Sequence, residues 1–575
     1  MKRLLKHLKG LYKESVLGPL FKLCEATLEL IVPLIVASIV DYGIGGEGGV
    51  GHTVFMSILL VLFGAVGLGF SVVAQYFCAK ASVGFATRIR GALFDKIQTF
   101  SYSDIDRLGT STMMTRMTAD TSKVQNGLNL ALRLLLRSPF VVFGALIMAF
   151  IVDARSAISF AVVIPILAVV VFSIMLISMP LYKRTQNATD GILLRTRENL
   201  SGVRVIRAFC QEEDEMAAFS EANTHLTGIQ KKVGMISSLL NPLTYVIINL
   251  AILWLMELGA IQVSDGVLSA GEVLALYNYM SQILVELIKL ANLIIQITRA
   301  LASASRIADV LDIPSSERSG EITEGAGGDV AVSLSGVSLT YGGSSEPSLS
   351  GIDLTVRRGE TVGIIGGTGS GKTSLVNLIP GFYPATEGKV LIDGVPVEDY
   401  DVVALRERIG IVPQRAVLFR GTVRDNMRLG HKDATDAEIA EALKVAQVYD
   451  VVCEKGGLDA IIEEGGQNLS GGQKQRLTIA RALVGSPDIL ILDDSASALD
   501  YATDAALRRA IKTLEGERTV FIVSQRTSSI MHADKIVVLE DGEAVAVGSH
   551  KELLGSCDIY REIHESQFGG GEQVG

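Results

Sequence analysis

The residues at 366–373 read GGTGSGKT, an order of glycine, lysine and threonine suited to holding phosphate. Gly366, Gly367, Gly369 and Gly371 let successive backbone N–H groups turn inward on an anion, where a Cβ would obstruct. Lys372 then reaches the terminal phosphates and the Thr373 hydroxyl is placed to ligate Mg²⁺. Thr368, Ser370 and Ser374 complete the loop and its exit. Two further elements follow in order: LSGGQ at 469–473, and the aliphatic run ILILDD at 489–494, which closes on Asp493 and Asp494. The triplet predicts ATP as ligand, with Mg²⁺.

Strands must carry such a loop. VSLSGVSLTY and LSGIDLTV, just ahead of it, alternate like paired strands. Tyr341 ends the first of them and is placed to stack on adenine, since a purine offers a π face. A nucleotide-binding domain over 329–575 is therefore expected. Residues 306–328 lose apolar periodicity and gain Gly, Ser and Glu, as a linker does.

The preceding half is of a different character. The chain has 575 residues, too many for one core, 49% of them apolar, with a mean hydropathy of +0.39. The apolar residues gather before residue 300 into six runs, near 17–40, 54–78, 138–152 with its preceding turns, 156–180, 242–263 and 268–299. Each is suited to crossing a hydrocarbon layer about 30 Å thick, which predicts an α-helical transmembrane domain over 16–305 embedded in a lipid bilayer. The connection after the second run carries Lys80, Arg88, Arg90, Lys96, Arg107, Arg116 and Lys123, and the one after the fourth is equally basic. The loops at 41–53 and 264–267 contain no Lys or Arg. Positive residues stay inside, so both termini and the nucleotide domain are expected in the cytoplasm, at a bacterial plasma membrane.

Both basic connections run for about 60 residues, read as helical, and exceed what a turn needs. The simplest reading is that membrane helices continue into the cytoplasm and turn back there, with tips near 111–120 and 201–212 docking on nucleotide domains. Residues 1–15 place Leu4, Leu5, Leu8 and Leu11 at helical spacing opposite Lys2, Lys6, Lys9 and Lys13, an amphipathic helix for the cytoplasmic membrane face. Glu25, Glu29, Glu257 and Glu286 fall inside apolar runs. Either they bind a cationic substrate or proton, or they pair internally, for example with Lys22 or Lys289, or they sit near the membrane rim. A net charge of −10 gives no support to a nucleic-acid partner. The five scattered cysteines show no metal-ligand or disulfide spacing.

Residues 330–570 resemble the nucleotide-binding domain of an ATP-binding cassette (ABC) transporter, and the six-span half resembles the exporter type. The resemblance covers essentially the whole chain. It implies that Gln414, in IVPQ, ligates Mg²⁺ and senses the membrane half, and that Asp493 holds Mg²⁺ through water. It further implies that Ser470, Gly471, Gly472 and Gln473 cap the γ-phosphate of ATP held by an opposite subunit. Asp500, ending SALD at 497–500, would contact the other nucleotide site.

Two positions depart from the family pattern. Where the family's hydrolytic subunits carry Glu after the Walker B aspartate, this chain has Asp494, one methylene shorter and withdrawn by about 1.5 Å. Where they carry a switch His, it has Gln525, which donates a hydrogen bond but takes no positive charge. Together they predict one half of a heterodimer exporting a small amphipathic compound. This chain's own site would be degenerate, and the partner half-transporter would carry the Glu and the His. The same residues also fit a nucleotide-gated regulatory or channel-like subunit, and exporter architecture serves some siderophore importers.

Overall fold

Long helices dominate the first half, as the basic connections predict. A computed structural model describes residues 4–44, 49–314, 319–495, 499–514 and 516–568. Among the described residues, six helical stretches are long and apolar enough to cross a membrane: Tyr12–Gly43, Gly49–Gln98, Thr110–Val152, Ala154–Ala208, Glu212–Ser264 and Ala270–Leu311, here spans one to six. The helix of span four runs 55 residues, about 80 Å at 1.5 Å per residue, well over twice the hydrocarbon thickness. Spans two and six are likewise continuous helices, of 50 and 42 residues.

These helices form one unit, Met1–Gln98 with Ser111–Ile313. Its core joins Phe160, Leu255, Leu276 and Tyr279, all fully buried. Close approach is enforced by small residues: a Cβ on Gly127 would lie 2.1 Å from the Ala300 Cβ. Span six is pinned to span one near its start. Asp41 accepts from the Ser269 hydroxyl at 2.5 Å and from the Gly271 N–H at 2.7 Å. Near its other end, Arg306 pairs with the buried Asp120, which also accepts from Arg116 at 2.7 Å.

The carboxylates inside the spans are mostly paired. Lys22 bonds Glu25, Arg137 bonds Glu29 at 2.5 Å and Glu286 at 2.7 Å, and Lys289 bonds Glu286 at 2.8 Å. Glu257 is exposed on the flank of span five.

Two expectations change within this half of the chain. In place of one amphipathic helix over 1–15, the described residues form a short 3₁₀ helix, Leu4–Leu8, and then the start of the span-one helix at Tyr12. Gly10, at φ +83°, turns the chain, and Arg88 donates to the carbonyls of His7 and Lys9. Leu4, Leu8 and Leu11 are thereby buried against protein, while Leu5 stays exposed. Lys2 lies outside the described residues. The tip of the first basic connection is also displaced from 111–120. It is the helix Tyr102–Leu108, capped by a reciprocal Ser101–Asp104 box, and residues 99–110 belong to the nucleotide unit. Residues 111–120 fold with the membrane helices, fixed by the Asp120 pairs. The second tip, 201–212, ends the span-four helix and is largely exposed in the single chain.

The second unit comprises Thr99–Thr110 and Pro314–Gly575. The helix of span six persists to Leu311, so the linker begins later than residue 306. Its described end is tied down where Gly320 N–H donates to Tyr400 O at 2.8 Å. Strands β1 (Val330–Leu339), β2 (Leu349–Arg357), β4 (Glu387–Ile392) and β5 (Val395–Pro396) form an antiparallel sheet. A six-stranded sheet combines β3 (Thr361–Gly366), β6 (Ile409–Val412), β9 (Ile489–Asp493), β10 (Thr519–Val523), β11 (Lys535–Glu540) and β12 (Glu543–Gly548). Its order is β12-β11-β3-β10-β9-β6, with only β12 antiparallel to its neighbour. A small third sheet pairs β7 (Gly421–Thr422) with β8 (Ile461–Ile462). Strands β9 and β10 are buried along their whole length, as unbroken aliphatic runs in a parallel sheet must be.

Candidate nucleotide site

Topology brings the motif residues together. β10 lies between β3 and β9, in register Val523 to Ile364 and Val523 to Asp493. The loops leaving the carboxyl ends of these three strands carry the phosphate loop, Asp494 and Gln525, which is where open α/β sheets hold ligands.

The phosphate loop is shaped by its glycines. Gly366, Gly369 and Gly371 have φ of +159°, +87° and +93°. A Cβ on Gly366 would lie 2.1 Å from Leu539 O, and one on Gly371 2.8 Å from Ser348 O. Gly367 and Gly369, by contrast, face open space, which leaves a concavity for phosphate. Lys372 starts the helix Lys372–Leu378 and is nearly buried. Its ammonium donates to Gly366 O at 2.9 Å, Gly367 O and Ser370 Oγ at 3.2 Å. Burial pulls the Lys372 pKa down, against the opposing fields of Asp494 and Asp493.

Thr373 Oγ1 donates to Asp493 at 3.0 and 3.2 Å. A hydroxyl and a carboxylate so juxtaposed are hard oxygen donors that fit Mg²⁺. Burial pushes the Asp493 carboxyl above its ordinary pKa, and Asp494 adds to the rise; a divalent cation would reverse that penalty. Asp494 occupies a left-handed backbone, φ +45°, and its N–H donates to Val523 O at 3.0 Å. Its carboxyl too is pushed up by burial, though Gln414, Lys372 and Arg526 hold it down in part. Gln414 Nε2 reaches Asp494 Oδ2 at 3.5 Å, the outer limit of a hydrogen bond.

Tyr341 stands beside the loop, its hydroxyl donating to Ser374 Oγ at 3.0 Å. The edge of its ring meets Tyr383, centroids 4.9 Å apart. Gln525 is exposed, and its carbonyl accepts from Gln567 Nε2 at 2.7 Å. Gln567 Oε1 also accepts from the Thr527 N–H at 2.8 Å and its hydroxyl at 2.9 Å.

The signature residues belong to another core. Ser470 caps the helix Gly471–Leu483 reciprocally with Gln473, and that helix packs with Ile439, Leu443 and Leu490. The phosphate-loop helix packs instead with the β1–β2 sheet. A Cβ on Gly471 would meet nothing within 4 Å. Asp500 caps the helix Tyr501–Lys512, accepting from Thr503 N–H at 2.8 Å. Ser497 and Ala498 of the same motif lie outside the described residues. The structure thus assembles residues 366–374, Gln414, Asp493 and Asp494 into one site, with Gln525 on the adjoining loop and Ser470–Gln473 apart. Sequence reasoning missed Gln567 and Tyr383. Gln567 stands 42 residues from its partner, with no local signal; Tyr383 follows the phosphate-loop helix closely enough to be a candidate.

Such a site, at the strand ends of a cassette fold behind six apolar helices, defines a membrane-transport ATPase. The chain belongs to the ABC transporter family: the family's transmembrane region matches residues 16–287 and its ATP-binding region, described as ABC transporter, matches 349–497. It is similar along its length to an uncharacterized ABC transporter ATP-binding protein, YfiB, of Bacillus subtilis (34% identical over 99% of each chain). It is also similar to a protein of that species described as a probable multidrug resistance ABC transporter ATP-binding/permease protein, YheI (32%, covering 99% of this chain and 97% of that one). An ATP-dependent lipid A-core flippase of Syntrophus aciditrophicus is 32% identical over 85% of this chain and 82% of its own. The fold matches the solved structure of a bacterial Atm1-family ABC exporter with ATP bound, with TM-score 0.82 over 97% of this chain and 99% of that one, at 23% identity.

Proposed function

We propose that this chain is one half of a heterodimeric exporter that moves a small amphipathic or hydrophobic compound across the plasma membrane at the expense of ATP. The reading is carried by Asp494, which follows the Mg²⁺-type ligand Asp493 in an otherwise complete phosphate site. Hydrolysis needs a base within hydrogen-bond reach of the attacking water. Aspartate in that place is short by one methylene, and Gln525 offers no cationic donor on the adjoining loop. The chain's own site, then, holds ATP and turns it over slowly. Its signature, Ser470 to Gln473, exposed at Ser470 and Gly471, completes a competent site on a partner that carries Glu and His. Tyr341 supports adenine, Lys372 the phosphates, and Thr373, Gln414 and Asp493 the Mg²⁺, which would supply charge neutralisation at the γ-phosphate. Relatives described as a multidrug resistance transporter and a lipid flippase support an amphipathic substrate.

ATP can shift the dimer toward closure only by its differential affinity for the closed state. The decisive measurement is steady-state Mg-ATP hydrolysis in lipid, for the chain alone and with its candidate partner. The chain alone should be nearly inert and the pair active. Asp494→Glu combined with Gln525→His should raise the rate of the chain alone by about 10²-fold or more, the usual worth of a positioned base. Brisk turnover by the unmodified chain alone would sink the degenerate-site reading. ATP-dependent accumulation in inverted vesicles separates an exporter from a nucleotide-gated subunit.

A further inference from the structure

The four charges joined through Arg137 form a chain of alternating sign: Glu29, Arg137, Glu286, Lys289. The two inner members are nearly buried, with side chains 8% and 4% exposed; Ser138 donates to Glu286 at 2.7 Å, and Glu286 reaches the wall of the cavity described next. The two ends are open: Glu29 keeps 41% of its side-chain surface and Lys289 45%. Both ends line a cavity of about 340 Å³ between spans one, three and six, within the usual size range of small-molecule sites. Val32, Val36, Val141 and Val285 form its apolar wall. Gln282 also lines it, and its buried Oε1 has no hydrogen-bond partner.

Each open end has unused capacity. A carboxylate accepts at about four positions and an ammonium donates three protons, and each is joined to the chain by one partner. The four charges sum to zero, so a ligand with a single net charge would leave an uncompensated charge at membrane depth, which is costly. A ligand carrying both signs would not. We propose that this cavity is a binding site for zwitterionic amphiphiles, with Glu29 taking the cationic group, Lys289 the anionic group, and the valine wall the apolar body. The inference rests on the transport reading above and narrows its substrate class. A phospholipid headgroup of the phosphoethanolamine type and a free apolar dipeptide share this chemistry.

The test uses full-length protein in nanodiscs of an uncharged glycolipid, so that bulk lipid does not compete. Fluorescent alkylphosphoethanolamine, alkylammonium and alkyl sulfate of matched chain length are compared by equilibrium binding, with a diphenylalanine dipeptide as the free zwitterion. The phosphoethanolamine probe should bind at least about tenfold more tightly than either singly charged probe. Glu29→Gln leaves the site with one extra positive charge and should move its preference to the sulfate. Lys289→Gln should move it the opposite way, to the ammonium. Opposite shifts are not what a merely structural defect produces. Equal binding of a singly charged probe by the unmodified protein, or a uniform loss of all probes in both variants, overturns the proposal. Dipeptide binding equal to that of the phosphoethanolamine probe assigns the site to free zwitterions, and a strong preference for the alkyl probe assigns it to lipid. Zwitterion selectivity without ATP-dependent accumulation in vesicles would uphold the site and remove the transport reading; accumulation without the selectivity would do the reverse.

Discussion

At the residue scale, the nucleotide site sets function against stability. An acid whose folded pKa is raised by burial destabilises the fold once the pH exceeds its unfolded pKa, and fully so above its folded pKa. Asp493 is such an acid. Asp493→Asn should therefore raise the melting temperature of the nucleotide-free protein at neutral pH, with the advantage vanishing as the pH falls through the ordinary carboxylate range. The same substitution should abolish the gain in melting temperature that Mg-ATP gives the unmodified protein. Thermal unfolding across pH, with and without Mg-ATP, checks both; a lowered nucleotide-free melting temperature at neutral pH would count against this account of Asp493. These residues were legible in the sequence because phosphate binding demands backbone freedom and fixed spacing, both written locally. Arg137 was not. It stands just ahead of the apolar run 138–152, in LRLLLRSPF, and reads there as one more basic residue at a membrane edge. Its partners Glu29 and Glu286 lie 108 and 149 positions away and are brought to it only by helix packing.

Among elements, the helices were foreseeable from apolar length and the sheet from alternating and aliphatic runs. What closes one element on another was less so. The C-terminal helix Asp558–Phe568 presents Gln567 to three backbone and hydroxyl groups on the loop after β10. Gln567→Ala would leave the buried Thr527 N–H and hydroxyl without that partner, a local loss of about 1–2 kcal/mol. Amide exchange at 524–529 should then quicken roughly 5- to 30-fold, while β3 and β9 keep their protection. Unchanged exchange at Thr527 would mean the contact holds nothing in solution. The tip helix Tyr102–Leu108 teaches a similar lesson. Its position was set by the stack of Tyr102 on Phe382, centroids 4.2 Å apart, and by Tyr383 donating to Asp106 at 2.5 Å. Those partners lie some 280 residues downstream, and one tyrosine and one aspartate in the charged stretch YSDIDRL do not announce them.

On the scale of the whole molecule, charges inside the membrane half hold distant helices in one arrangement. Breaking the buried pair with Arg137→Ala should destabilise the protein by about 3–5 kcal/mol, whereas Arg137→Met with Glu286→Leu should recover most of that loss. Denaturant unfolding in detergent distinguishes these, and equal damage from both would mean that the apolar pair packs badly there. The clasp of Asp41 on Ser269 and Gly271 has a mechanical meaning beyond stability. It fastens one end of an unbroken helix, and a Cβ on Gly271 would strike Ala37 O at 2.3 Å. From Gly271 to Arg306 that helix extends about 52 Å. A swing of only ~5° about the fastened end would sweep Arg306 through about 4–5 Å, by the helix rise alone. Span six is thus a rod clasped at one end, so that a small change of angle at the clasp, once the Arg306–Asp120 pair yields, would be enlarged along the rod into a displacement of side-chain size.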